Sequence, residues 1–165
     1  MMPSPQNGAS NEIVFVLNGR EVRSRVGVAT TAFDLLRHEF GLTSVRSACD
    51  GIGMCGTCTI LVDGRASQSC LMLAVDLAQA EVLTVEGLAT EAGLHPLQLA
   101  FMTKGALQCG FCTAGMILAA KALLDECPNP SREEIVRGLV GNLCRCTGYA
   151  KIVQAVASVA EGSHG

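Results

Sequence analysis

Residues 49–70, "CDGIGMCGTCTILVDGRASQSC", set four cysteines at the spacing C-x5-C-x2-C-x11-C, and their reading decides the first half of the fold. The opening is a glycine-rich loop; the remainder, "TCTILVDGRASQSC", is a pair of short strands turned at Asp63-Gly64. Upstream, from Ile13, "IVFVLNGREVRSRV" makes another pair around Asn18-Gly19, a dipeptide suited to a tight hairpin because both central residues need positive φ. Between hairpin and loop, "TTAFDLLRHEFG" puts Phe33, Leu36 and Phe40 at helical spacing, with Thr30 or Thr31 as N-cap and Gly41 as the stop. A last short strand, "EVLTVEG", follows the loop and second hairpin. Strand, strand, helix, loop, strand, strand is a β-grasp order.

Near residue 90 the period changes. "HPLQLAFMTKG" places Leu97, Leu99 or Ala100, and Phe101 on one side of a short helix, and "TAGMILAAKALLDE" is apolar almost all round, so it must be covered on most faces. Pro128 and Pro130 end that helix, and the capping box "SREE" at residues 131–134 opens the next. "YAKIVQAVASVA" carries Ile152, Val153, Val156 and Val159 on one stripe and completes a bundle of four helices. The expected class is α+β. Residues 1–11 and 161–165 are tails, 12–88 the β-grasp domain and 89–160 the helical domain.

Composition excludes several functions. A net charge of -3 without a Lys/Arg block, one tyrosine, five phenylalanines and no tryptophan argue against a nucleic-acid partner. The longest uncharged run, residues 105–120, is 16 residues long and contains polar groups, too short for a direct membrane span. "MMPSPQNGASN" has no basic start, apolar core or twin arginine, so a cytoplasmic location is expected. In a reducing compartment nine cysteines point to metal ligands or catalytic thiols, and their odd number cannot form a complete disulfide framework.

Eight of the nine sort by half. Cys49, Cys55, Cys58 and Cys70 lie in the β half; Cys109, Cys112, Cys144 and Cys146 form C-x2-C and C-x-C pairs separated by 31 residues in the helical half. Four thiolates are the ligand count of a [2Fe-2S] cluster, and the first set approximates the ferredoxin run of three bunched cysteines and a distant fourth. Gly51, Gly53 and Gly56 let the backbone wrap closely and aim N–H groups at the sulfurs of an anionic cluster. In the second set, the positive end of the helix beginning near Thr113 lies beside the thiols, Arg145 adds charge, and the 31-residue insert is a helical return path. Both sets also have the donors for tetrahedral zinc, which leaves that metal open on spacing alone. Cys127 reads as a passive buried thiol, and His38, His95 and His164 lack a partner at ligand spacing.

Four motifs in order, "CDGIGMCGTCTILVDGRASQSC", "HPLQ", "QCGFCTAGMILAA" and "GNLCRCTGY", resemble the small iron-sulfur subunit of the xanthine oxidase family of molybdenum hydroxylases, across about residues 12–159. The family includes aerobic carbon monoxide, aldehyde and N-heterocycle dehydrogenases. The resemblance implies a plant-type ferredoxin-like domain followed by a helical domain, with one [2Fe-2S] cluster in each. It further implies a large partner subunit with a molybdopterin cofactor and a medium one with FAD, in a dimer of heterotrimers. On that pattern the cluster of Cys109, Cys112, Cys144 and Cys146 is proximal to molybdenum, and that of Cys49, Cys55, Cys58 and Cys70 is distal, toward flavin. Gln108 matches the glutamine near the pterin, and no residue of this chain acts as acid, base or nucleophile on substrate. Two positions depart from the family pattern: five residues rather than four separate Cys49 from Cys55, and Ala114 replaces a common proline. A free-standing two-cluster carrier and a zinc-stapled interaction module are the alternatives, and export to the periplasm with a signal-bearing partner is compatible with the motifs. The substrate, read by the large subunit, is not encoded here.

Overall fold

The computed structural model describes residues 10–162. Its first half is a five-stranded mixed sheet in the order β2-β1-β5-β3-β4. Strands β1 (Ser10–Leu17) and β2 (Arg20–Gly27) form the first hairpin, with Asn18 at φ 50° and Gly19 at φ 78°, the left-handed pair its sequence calls for. Strands β3 (Thr59–Val62) and β4 (Arg65–Gln68) form the second around Asp63 and Gly64, and β5 (Glu81–Leu83) runs parallel to β1 and antiparallel to β3.

The expected helix after the first hairpin is shorter and wider than its spacing suggests. Thr31 caps α1 (Ala32–Asp34) through a 3.0 Å bond from the Asp34 amide, and the chain then widens into a π turn at Leu35–Glu39, closed by Phe40 N–H on Leu35 O at 3.1 Å. A wider turn directs two consecutive leucines, Leu35 and Leu36, into the core together, and both are fully buried. Phe40 packs edge-on against Phe15 at 5.8 Å. Between β4 and the helices the chain runs through three 3-10 turns, Ser69–Leu71, Ala74–Leu77 and Val85–Leu88, which no periodicity announces.

The second half packs α2 (Pro96–Thr103), α3 (Thr113–Glu126), α4 (Arg132–Gly138) and α5 (Ala150–Gly162) around Leu97, Phe101, Met116, Leu118, Ile135, Ile152 and Val156. Ala100, not Leu99, is the buried partner on α2; Leu99 faces outward. The expected box of Ser131 and Glu134 forms on α4, and His95 with Gln98 forms a second one on α2. Cys127, expected to be buried, is half-buried at the C-cap of α3, where the chain leaves the helix before Pro128. His164 lies outside the described residues. Among the described residues no helix is long and apolar enough to cross a membrane.

Strand β3 joins the two cores. Alternate side chains of a strand point to opposite faces, so Ile60 enters the core of the sheet and α1 while Leu61 enters the helical core beneath α3. Near β3, the chain of the cysteine loop meets the helices without a gap. A Cβ on Gly56 would overlap Gly141 O and Asn142, and one on Gly115 of α3 would overlap Gly56 O. Only glycine permits that approach, and at Gly56 the φ of 66° adds a second reason. Asn142, 5% exposed, fills the seam by donating to Gly56 O at 2.8 Å and Thr59 Oγ1 at 3.1 Å.

Candidate metal centres

In the first set, left-handed backbone at Asp50, Gly51, Gly53 and Gly56 coils the chain around its own cysteines. Between Cys49 and Cys55 the chain makes a turn closed by Ile52 N–H on Cys49 O at 3.2 Å, with the Gly51 amide held by Ser47 Oγ at 3.0 Å. Cys49 thereby still reaches the Cys55 side chain. Cys58 and Cys70 face each other across the base of the β3–β4 hairpin, where Ser69 Oγ donates to Cys58 O at 2.8 Å. Cys55, Cys58 and Cys70 are buried and Cys49 is half-buried.

The second set comes from helix ends. Cys109 and Cys112 stand before α3, with Cys112 as its N-cap, and Cys144 and Cys146 lie between α4 and α5. Cys109 Sγ and Cys146 Sγ are 3.5 Å apart and exposed; buried Cys112 pairs with half-buried Cys144. The Tyr149 hydroxyl accepts from the Cys144 amide at 2.8 Å, and Thr147 Oγ1 donates to Cys144 Sγ at 3.1 Å. Gln108 is exposed on the rim beside Cys109.

Each set thus contains two sulfur pairs. The thiol chemistry is uneven within them. A hydrogen bond from Cys55, then amides such as that of Met54, bring Cys49 down to about 6. Burial, then the neighbouring Cys58, pushes Cys70 up to about 12, and burial with Cys144 does the same to Cys112. Burial opposes ionisation of Cys144, but hydrogen bonds from Thr147 and nearby amides outweigh it and lower its pKa. The Phe111 amide, then Cys146, lowers Cys109, and Cys146 is correspondingly raised by Cys109.

A tetrahedral zinc ion needs four sulfurs all about 3.8 Å from one another, given Zn–S bonds of about 2.3 Å. Two irons bridged by sulfide need two pairs set further apart. The thiols meet in pairs, Cys49 with Cys55, Cys58 with Cys70, Cys109 with Cys146 and Cys112 with Cys144, which is the arrangement the two-iron group needs. One cleft of about 350 Å³ is lined by Cys49 and Cys55 of the first set together with Cys109, Cys112, Cys144 and Cys146 of the second. A larger cleft of about 660 Å³, between the Asp63–Gly64 turn and α3, contains no thiol. Across the thiol cleft, Leu143 N–H donates to Cys55 O at 2.9 Å, a backbone bond between a residue adjoining one set and a member of the other.

The cysteines, Gln108 and Arg145 stand out in the sequence; Arg46, Thr57, Asn142, Thr147 and Tyr149, which touch the thiols or their loops, did not. Asn142 and Tyr149 flank the C-x-C pair within "GNLCRCTGY", the only signal that could have found them.

Two families match the chain: the 2Fe-2S iron-sulfur cluster binding domain over residues 15–89 and the [2Fe-2S] binding domain over residues 84–157. The nicotine 6-hydroxylase small subunit of Paenarthrobacter nicotinovorans is 47% identical over 154 residues, 93% of this chain and 91% of that one. The nicotinate dehydrogenase small FeS subunit of Eubacterium barkeri is 51% identical over 123 residues, covering 74% and 78%. Among solved structures, quinoline 2-oxidoreductase from Pseudomonas putida 86 superposes with a TM-score of 0.88 at 44% identity, over 93% of this chain and 96% of that one. With one [2Fe-2S]-binding domain in each half, this electron-transfer chain belongs to the small iron-sulfur subunits of the molybdenum hydroxylase family.

Proposed function

We propose that the chain carries electrons one at a time from a molybdopterin site on a large partner subunit to FAD on a medium one. Cys109, Cys112, Cys144 and Cys146 hold the cluster proximal to molybdenum, with Gln108 near the pterin; Cys49, Cys55, Cys58 and Cys70 hold the distal cluster. Each cluster supplies a one-electron stop. The protein's part is to fix the two sites close together, shield them and tune them. Residues 12–88 and 89–160 form the two domains, and the complex is a dimer of heterotrimers in the cytoplasm, a compartment that nine unpaired cysteines suit.

One observation carries this reading: Cys49 and Cys55 of the first set share a cleft with all four thiols of the second, and the Leu143 N–H to Cys55 O bond ties the two stretches together there. A carrier that served its two sites independently would have no need to face them toward each other. Purification from native cells provides the test. The chain should co-purify with molybdenum and flavin, contain iron and labile sulfide, and give two distinct EPR signals on reduction; Cys112→Ser should remove one of them. A chain eluting alone without molybdenum or flavin, or carrying zinc without sulfide, refutes the relay.

A further inference from the structure

Arg46 belongs to both sites. Its backbone is part of the first: the Arg46 amide donates to Thr57 O at 3.2 Å, and Arg46 O accepts from Thr57 Oγ1 at 3.0 Å. That hydroxyl oxygen lies 3.1 Å from Cys55 Sγ. The side chain spans the two halves: its Nε donates to Thr43 O at 3.4 Å in the first, and its far end reaches the second. Its Nη1 donates to Gly110 O at 2.8 Å and reaches Phe111 O at 3.4 Å, while the guanidinium lies over the Phe111 ring, 5.3 Å from the centroid. Gly110 and Phe111 are the two residues between Cys109 and Cys112.

A planar guanidinium suits this position because Nη1 meets the Gly110 and Phe111 carbonyls, Nε meets Thr43 O, and the face lies over an aromatic ring. Lysine would keep the charge and lose both the Nε contact to Thr43 O and the planar face. The contact also fixes the loop against the other half of the protein, so Cys109 and Cys112 are aimed by a residue three positions before Cys49.

We propose that Arg46 is a positioning residue for the second cluster: it clamps the Cys109–Cys112 loop from the ferredoxin-like half and raises that cluster's reduction potential. The reading rests on the ligand sets proposed above. Reduction adds negative charge to a cluster, so a fixed cation beside its loop favours the reduced form. One unit charge at about 10 Å and an effective dielectric of about 20 shifts such an equilibrium about tenfold. For a one-electron couple, tenfold corresponds to about 59 mV.

The test is a redox titration of the purified complex, following the two reduced EPR signals separately, with Cys112→Ser identifying the second. Arg46→Met should lower the second cluster's potential by about tenfold in its equilibrium and move the first by less than half as much. Arg46→Lys should recover at least half of that shift, which a purely structural role would not predict. If Arg46→Met instead loses the second signal and half the iron while keeping the first, it shows the clamp at its extreme. An unchanged second potential, equal shifts in both clusters, loss of both clusters, or an Arg46→Lys variant no better than Arg46→Met overturns the proposal. A wild-type complex without two separable signals refutes the ligand assignment instead, so the two failures are distinct.

Discussion

Cys49, Cys55, Cys58 and Cys70 are gathered by one loop and the hairpin that follows it, whereas Cys109, Cys112, Cys144 and Cys146 come from two separate connections that the helices bring together, one leading into α3 and one between α4 and α5. The loop buries three of its four thiols inside its own half; the helix ends leave Cys109 and Cys146 exposed on an open rim. Coiled backbone supplies ligands and shelter together. Helices are stiff, so they bring sulfurs to a point but leave it uncovered, and closure must come from outside the bundle. Arg46 is one such outside contribution, and a partner subunit over the rim would be another.

Removing ligands is the largest way to break this comparison. Cys58→Ser and Cys112→Ser should each remove about half the iron per chain, read by metal analysis. Cys58→Ser should also lower thermal stability more, because Cys58 sits within the sheet core. Next comes the seam. Gly56→Ala should cost about 3 kcal/mol or more in denaturant unfolding, combining positive φ with overlap of Gly141 O and Asn142. If the halves unfold as one body, a single transition shifts; two separated transitions would show that they are independent. Asn142→Ala removes one donor from Gly56 O, which keeps those of Thr59, and should cost about 0.5–1.5 kcal/mol by the same assay.

Smaller substitutions sharpen the contrast by acting on one half. Tyr149→Phe removes the hydroxyl that accepts from the Cys144 amide; about 1 kcal/mol is expected, with a change in the second EPR signal and none in the first. Glu86 works in the other half, holding Ser44 through its hydroxyl and amide and accepting from Thr84. Burial raises its pKa, but these hydrogen bonds outweigh that effect and hold it below the ordinary 4.5. Its contribution is therefore present above the unfolded value and lost as pH falls through the lower folded one. Glu86→Gln should cost no more than about 1 kcal/mol from pH 7 to 5, and its deficit against wild type should shrink below about pH 4.5, followed by circular dichroism.

Much of this was legible in residue order, for reasons that differ by element. Asn18-Gly19 and Asp63-Gly64 announce their turns because few other dipeptides accept two left-handed residues, and Ser131 with Glu134 announces a helix start because the box is local. The thiol sets were legible by count and spacing. The contacts that hold the sites together were not. Asn142 and Gly56 are 86 positions apart and Arg46 and Gly110 are 64 apart, and a single sequence carries no periodic trace of such pairs. The π turn at Leu35–Glu39 escaped for a related reason: its apolar spacing resembles that of an ordinary helix, and only the packing of two adjacent leucines widens it.

Helix α4 spans seven residues and buries one side chain among them, Ile135. So short a segment cannot sustain itself in water, and its apolar contact is too small to fasten it. It lies, however, inside the 31-residue span between Cys112 and Cys144. A cluster joining those thiols acts on that span as a crosslink does, removing about 3–4 kcal/mol of loop-closure entropy from the unfolded chain. On the ligand set proposed above, iron in this half is a fastener as well as an electron stop. On its removal α4 should be the first segment to open to hydrogen exchange, while the sheet and the buried middle of α3 remain closed.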